Sequence, residues 1–302
     1  MILNKGINPM VKSRKLRIIS PSGAIQPEYI MAAADVLGHR GYEVSTGKYA
    51  LSSHGRFAGT DEQRLYDLQL ALDDPTLEVI LCSRGGYGLS RIIDKVDFSA
   101  FLNFPKWLVG FSDVTVLHCA LSRLGVPSIH GSMARYLAEL PDDDPSLMSL
   151  QNLLEGHLPT YLLPAHPMNR PGKASATLIG GNLSVLMSVR GTPYEPDWKG
   201  AVLFLEEVGE EPYHIDRMMQ NLRMGGVLQQ LAGIIVGRFT DCPEDSSMQQ
   251  SIAGIIRDAA EGTSYPVCFD FPAGHEPDNY PLILGAQVRL EVGETETLID
   301  FN

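Results

Sequence analysis

The run KWLVGFSD (106–113), followed by VTVLHCALSRLG (114–125), is where the reading of the fold turns. The first segment is apolar and short enough for a buried strand. The second carries helical spacing to Leu124. A strand that runs straight into a helix through Phe111-Ser112-Asp113 admits two readings. Ser112 and Asp113 can cap the helix, since both residue types accept hydrogen bonds from the free N–H groups of a first turn. Alternatively Ser112 is a nucleophile lifted clear of the backbone by a sharp turn, with the next N–H groups aimed at an oxyanion. GFSD matches the start of the G-x-S-x-G elbow, but Val114 stands where the final glycine belongs. On these residues alone both readings stay open.

On either side of this run the strand-then-helix pattern repeats. KLRIIS (15–20) reads as a strand ending in PSG. A helix follows from Pro27 to Arg40, with Gly41 as its C-cap, and YEVS (42–45) is a short strand. Thr60 caps TDEQRLYDLQLALDD (60–74), which has acids in its first turn and Leu65, Leu68 and Leu72 on one face. LEVILCS (77–83) is the next strand, and it runs into RGGYGLSRII (84–93). Strands spaced by helices imply βαβ units and a mainly parallel sheet. Ligands of such sheets sit beyond the carboxyl ends of the strands, so RGGYG and FSD are expected in one cleft.

PDDDPSLMSLQNLLEG (141–156) reads as an acidic loop leading into a helix. LPTYLLPAHPMNRPGK (158–173) has four prolines and no helical period, which marks a linker or boundary strand. The remainder, from TLIGGNLSVLMSVRG (177–191) to PLILGAQVRLEV (281–292), forms a second α/β unit. The expected division is a tail at 1–14, a first domain at 15–157, a linker at 158–173 and a second domain at 174–302.

Composition narrows the class. The chain has 302 residues, 44% hydrophobic and 20% charged, with a net charge of −12. That excess of acid argues against a phosphate-backbone partner, which needs a Lys/Arg surface. No stretch approaches 18 uninterrupted apolar residues, so no membrane span is expected. The N-terminus lacks the apolar core of a secretory signal. Cys82, Cys119, Cys242 and Cys268 form no close pair, so neither a zinc site nor a disulfide framework is expected. These features suit a reducing, cytoplasmic setting.

The candidate chemistry is spread along the chain. The adjacent glycines of RGGYG (84–88) let the backbone turn sharply and present N–H groups to an anion, or simply form a turn. The stretch lacks the spacing of a dinucleotide fingerprint and the GK[ST] of a P-loop. Glu206 and Glu207 end the apolar run AVLFL, where a carboxylate can orient a histidine or merely meet water. His275 lies in FPAGHE. Spacing does not choose it over His118 or His130; His214 reads as a cap or surface residue, and His39, His54, His157 and His166 have no adjacent chemistry.

Taken in order, SPSG (20–23), RFAGTDEQRLYDL (56–68), RGGYGLSR (84–91), GFSDVTVLH (110–118), LIGGNLSVL (178–186), GTPY (191–194), FLEEVGEEPYHIDRM (204–218) and FDFPAGHE (269–276) resemble the LD-carboxypeptidase family of serine peptidases. That family also contains the microcin C immunity peptidases. The resemblance runs from about Arg17 to about Val292. It implies an α/β fold, with a mainly parallel, Rossmann-like N-terminal domain, a second α/β domain and the active site between them. It implies a Ser112–Glu206–His275 triad, with Glu206 taken over Glu207 as the first acid of LEE. The oxyanion would meet the backbone N–H groups of Gly86 and Asp113. Arg84, Gly85 and Tyr87 are candidate substrate contacts, and Arg84 and the helix N-terminus after Ser112 are the candidates for holding a terminal carboxylate. The implied substrate is a murein tetrapeptide or muropeptide cut between an L-diamino acid and D-alanine. The resemblance implies no metal and no cofactor, and a homodimer. A microcin C-type peptidase would share the triad and add aromatic residues that stack on adenine; this chain offers Trp107, Trp198 and, at the boundary, Tyr161.

Overall fold

A computed structural model describes residues 14–302. The tail expected at 1–14 therefore lies outside the described residues except for Arg14. Arg14 is tied in: its Nη1 donates to Arg40 O at 2.8 Å.

The first unit comprises β1 (Lys15–Ile19), α1 (Pro27–His39), β2 (Glu43–Thr46), α2 (Asp61–Asp73), β3 (Val79–Cys82), α3 (Ser99–Asn103), β4 (Trp107–Gly110), α4 (Thr115–Arg123), β5 (Ser128–His130), α5 (Ala134–Leu137) and α6 (Pro145–Leu154). The second comprises β6 (Thr160–Pro164), β7 (Gly172–Asn182), α7 (Leu183–Val189), β8 (Val202–Val208), α8 (Pro212–Met224), β9 (Gly233–Thr240), α9 (Ile252–Ala259), β10 (Val267–Cys268), β11 (Leu282–Leu284), β12 (Gln287–Val292) and β13 (Glu296–Asp300). The mixed α/β class with a mostly parallel first sheet is as the sequence led us to expect.

The first sheet runs β11-β5-β4-β3-β1-β2, parallel except for β11. Every residue of β3, β4 and β5 is buried, as continuous apolar runs covered on both faces should be. The strand order reverses between β1 and β3, so the loops leaving these strands open a crevice. There Gly23 N donates to Gly85 O at 3.1 Å, joining SPSG to RGGYG. Helix α2 begins with a reciprocal capping box between Thr60 and Gln63. Its inward face differs from the expected leucine stripe. Leu68 and Leu72 are buried but Leu65 only partly, because Arg64 and Asp67 occupy part of that face. Arg64 Nη1 donates to Pro21 O at 2.8 Å and Asp67 Oδ2 accepts from Tyr49 N at 2.7 Å, so this helix anchors two of the loops above the sheet.

The second sheet runs β10-β9-β8-β7-β12-β13-β6, parallel from β10 to β7 and antiparallel beyond. Two features blur the division drawn from sequence. The proline-rich 158–173 segment contains β6, which pairs with β13. Strand β11, inside the expected second domain, instead covers the edge of the first sheet, with Leu282 opposite His130 and Leu284 opposite Ser128. An apolar three-residue strand with all residues buried gains by closing an exposed edge. The sheets also meet where α4 packs on β7. Thr115 Oγ1 accepts from Asn182 N at 3.0 Å. A Cβ on Gly181 would lie 2.5 Å from that oxygen, so only glycine permits the approach.

Candidate active site

Ser112 stands in the corner between β4 and α4 with φ of +64°, the left-handed region that a serine adopts at a cost. Val114 N closes the turn onto Phe111 O at 3.3 Å. The departure from G-x-S-x-G is explained by packing. Val114 fills the space in front of Gly110, where a Cβ would lie 2.9 Å from Val114 Cγ2. The glycine kept at 110 makes room for the valine that replaces the second glycine. Neither Ser112 nor Asp113 caps the helix: no side-chain cap bond closes its first turn. Asp113 is buried and reaches the other way. Its Oδ2 accepts from Ser22 Oγ at 2.6 Å and from Leu89 N at 3.0 Å. Burial raises its pKa while these donors oppose the shift. One carboxylate thereby locks the SPSG and RGGYG loops to the serine turn.

Glu206 and Glu207 follow each other on β8, so their side chains leave opposite faces. Glu206 is 0% exposed, and its Oε2 meets His275 Nδ1 at 2.8 Å. A carboxylate only accepts, so Nδ1 carries the proton and Nε2 is left as the acceptor. Glu207 serves the fold. It accepts from Asn182 Nδ2 and Ser184 N at 2.7 Å and from Val208 N at 2.9 Å, and it holds the start of α7. Burial raises its pKa. The His275 ring lies edge-on to Phe111, the residue before Ser112, with centroids 4.8 Å apart. The Glu206–His275 pair of the second unit therefore packs against Phe111, the chain neighbour of Ser112 in the first.

The glycine-rich loop flanks the serine. A Cβ on Gly85 would lie 2.7 Å from Ser112 Cβ and 2.8 Å from its Oγ, and 3.4 Å from Asp113 N. Gly86 has φ of +112° and carries the same backbone onward. Arg84 Nη1 donates to Ala24 O at 3.1 Å. Tyr87 is 42% exposed at the rim, against Phe57.

The rival histidines separate. His118 is buried: Nε2–H donates to Gly110 O at 2.8 Å and Nδ1 accepts from Ser128 Oγ at 2.8 Å. Burial lowers its pKa to about 4. His130 is buried between Phe111 and Phe204 beside Asn279, and burial holds it well below its ordinary value. His214 on α8 bonds Glu210, which precedes the helix, at 2.9 Å. Sequence reasoning missed Ser22, the Asp113 side chain, Asn182 and Asn279. Asn279 Oδ1 accepts from Gly274 N at 3.1 Å and so holds the loop bearing His275. Asn182 had a signal in GGN before an apolar helix, a typical N-cap placement; Asn279 had none.

Residues 16–131 match the LD-carboxypeptidase N-terminal domain and residues 175–290 match the LD-carboxypeptidase C-terminal domain. A probable murein peptide carboxypeptidase of Bacillus subtilis is 34% identical over 303 residues, 99% of this chain and 95% of the relative. A murein tetrapeptide carboxypeptidase of Pseudomonas aeruginosa is 33% identical, covering 92% of this chain and 93% of the relative. The crystal structure of a muramoyltetrapeptide carboxypeptidase from Oxalobacter formigenes superposes with a TM-score of 0.88 at 28% identity, covering 95% and 98% of the two chains. The chain belongs to the LD-carboxypeptidase family.

Proposed function

We propose that the protein is a serine LD-carboxypeptidase that removes the terminal D-alanine from murein tetrapeptides, free or glycan-linked, after an L-diamino acid. The observation that carries this reading is a buried Glu206–His275 pair packed on Phe111, next to the left-handed turn at Ser112. Family membership and the relatives' names support the substrate class.

In this reading His275 Nε2 takes the Ser112 proton as Oγ attacks the scissile carbonyl. Glu206 keeps the imidazole in the required tautomer and stabilises the imidazolium. The oxyanion is received by the N–H groups of Asp113 and Gly86, a role supported by the close passage of the Gly85 backbone beside Asp113 N. His275 then returns the proton to the departing D-alanine amine. Water, deprotonated by the same histidine, releases the peptide from Ser112. Arg84 faces the terminal carboxylate.

The aromatic residues that would favour an adenylated substrate are committed elsewhere. Trp107 is buried in the core, Trp198 is buried with Nε1 on Glu195, and the Tyr161 hydroxyl donates to Pro281 O. Among the described residues no helix is long and apolar enough to cross a membrane. Four unpaired cysteines, three of them buried, support a cytoplasmic setting, and the homodimer expected from the family is part of the same proposal. The test is D-alanine release from a purified tetrapeptide. Wild type should release it, and Ser112→Ala should lose on the order of 10⁴-fold or more with an unchanged melting curve. A Ser112→Ala protein of undiminished activity would overturn the assignment of the nucleophile. Cleavage of an aminoacyl sulfamoyl-adenosine instead of the tetrapeptide would overturn the substrate.

A further inference from the structure

Two arginines follow the strands that flank β4, the strand leading to Ser112. Arg84 leaves the carboxyl end of β3, and its neighbour Gly85 touches Ser112. Arg135 lies in α5, just after β5, and its neighbour Tyr136 packs on Phe111 with ring centroids 5.3 Å apart. The two backbones are joined, because Arg135 N donates to Ser83 O at 3.0 Å. Both side chains are partly buried.

Their hydrogen bonding is incomplete. Arg84 uses Nη1 on Ala24 O, and Arg135 stands 5.9 Å from the centre of the Tyr29 ring. The Nε of each is buried without a hydrogen-bond partner, and neither forms an ion pair among the described residues. Arg170 shows the contrast. It too lacks an acid, but its Nε, Nη1 and Nη2 are taken by Tyr265 O, Ala260 O and Thr263 Oγ1. Glu206, which acts on the neighbouring Tyr136, is engaged by His275. Burial, and then repulsion by Arg135, pull the Arg84 pKa down. Two half-buried cations left together in a chain of net charge −12 are a site awaiting an anion. The forked donors of arginine suit a carboxylate.

We propose that Arg84 and Arg135 act together as a clamp for the carboxylate of the residue on the leaving side of the scissile bond, and that the clamp sets exopeptidase specificity. The proposal rests on the hydrolase reading above and adds Arg135 to it. A peptide without that carboxylate leaves two desolvated cations unanswered, so the site discriminates against amidated or extended ends.

The same chemistry has a second source, the side-chain carboxylate of a diaminopimelate on the acyl side. Three substrates separate them: the diaminopimelate tetrapeptide acid, its C-terminal amide, and the lysine-containing tetrapeptide acid. With Arg135→Gln, KM should rise about 10- to 100-fold for both acids and stay within about threefold for the amide. Arg135→Lys should recover part of the loss, and Arg84→Gln should show the same pattern. Thermal melting checks that each variant folds. Equal losses on acid and amide overturn the clamp while leaving the hydrolase reading intact. A loss that persists on the amide but vanishes on the lysine peptide overturns the assignment to the leaving residue. Wild type that neither cleaves the three peptides nor, as Ser112→Ala, binds them in calorimetry overturns the hydrolase reading and the clamp with it.

Discussion

The loop that presents Ser112 and the loop that presents His275 are built by different means. Ser112 sits between a buried strand and a helix, and its surroundings are the ends of neighbouring parallel strands. Gly85, Ser22 and Asp113 all belong to such loops. Repetition of one βαβ pattern brings them together. His275 lies in a stretch without helix or strand between β10 and β11. It is held by single bonds, within its own loop by Asn279 on Gly274 N and Tyr280 N on Pro272 O at 2.9 Å, and from other strands by Arg238 N on Ala273 O at 2.9 Å and Glu206 on the imidazole. A few residues further on, β11 adds to the edge of the sheet that carries the serine. Regular backbone places the nucleophile, while side chains and one borrowed strand place the base. The first arrangement leaves no room for added atoms, and the second depends on particular polar groups.

Gly85→Ala is the most severe test of the crowded side. Its methyl would enter the space of Ser112 Cβ and Oγ, and one of them must move. We expect kcat/KM to fall about 100-fold or more, since displacements near 1 Å carry that cost. A variant with wild-type kinetics would show that the serine turn has slack. On the other side, Asn279→Ala removes the acceptor for Gly274 N–H. We expect kcat to drop on the order of 10-fold with KM little changed, because the base loses its alignment while the binding surface remains. A rise in KM alone would mean that this loop contacts substrate instead.

The third effect is on stability in acid and not on turnover. His118 braces the serine strand from behind in its neutral form, with a pKa of about 4 against 6.5 in the unfolded chain. The unfolded chain therefore binds the extra proton first as pH falls. The stabilisation is complete above 6.5 and is lost progressively down to about 4, a total of roughly 3 kcal/mol. Urea titrations at pH 7 and pH 4 should show wild type losing more stability than His118→Gln. Equal losses would place the acid sensitivity elsewhere, for example at His130.

Much of the nucleophile half was legible in the chain. Its apolar runs are continuous because both faces of the sheet are covered, its helices carry caps such as Thr60, and its loops fall at strand ends by the logic of parallel sheets. The choice of His275 over His118 and His130 was not legible from spacing. All three are histidines near apolar residues, and only burial and partners distinguish them. The arginine pair was half legible, since Arg84 opens a glycine-rich loop but Arg135 sits in an unremarkable helical turn.

Short-range periodicity and turn chemistry, which act within a few residues, are enough to read the fold class, the main strand–helix alternation of the first half and the corner at Ser112. The chain's resemblance to a family supplied the pairing of Ser112 with Glu206 and His275. Only the tertiary structure decided that Asp113 braces loops rather than capping a helix, that Glu206 faces the histidine while Glu207 turns to Asn182, and that β11 crosses to the first sheet. Those outcomes depend on which distant backbones approach each other. Such an approach is set by packing and by the need to satisfy buried charge, neither of which leaves a period in the chain.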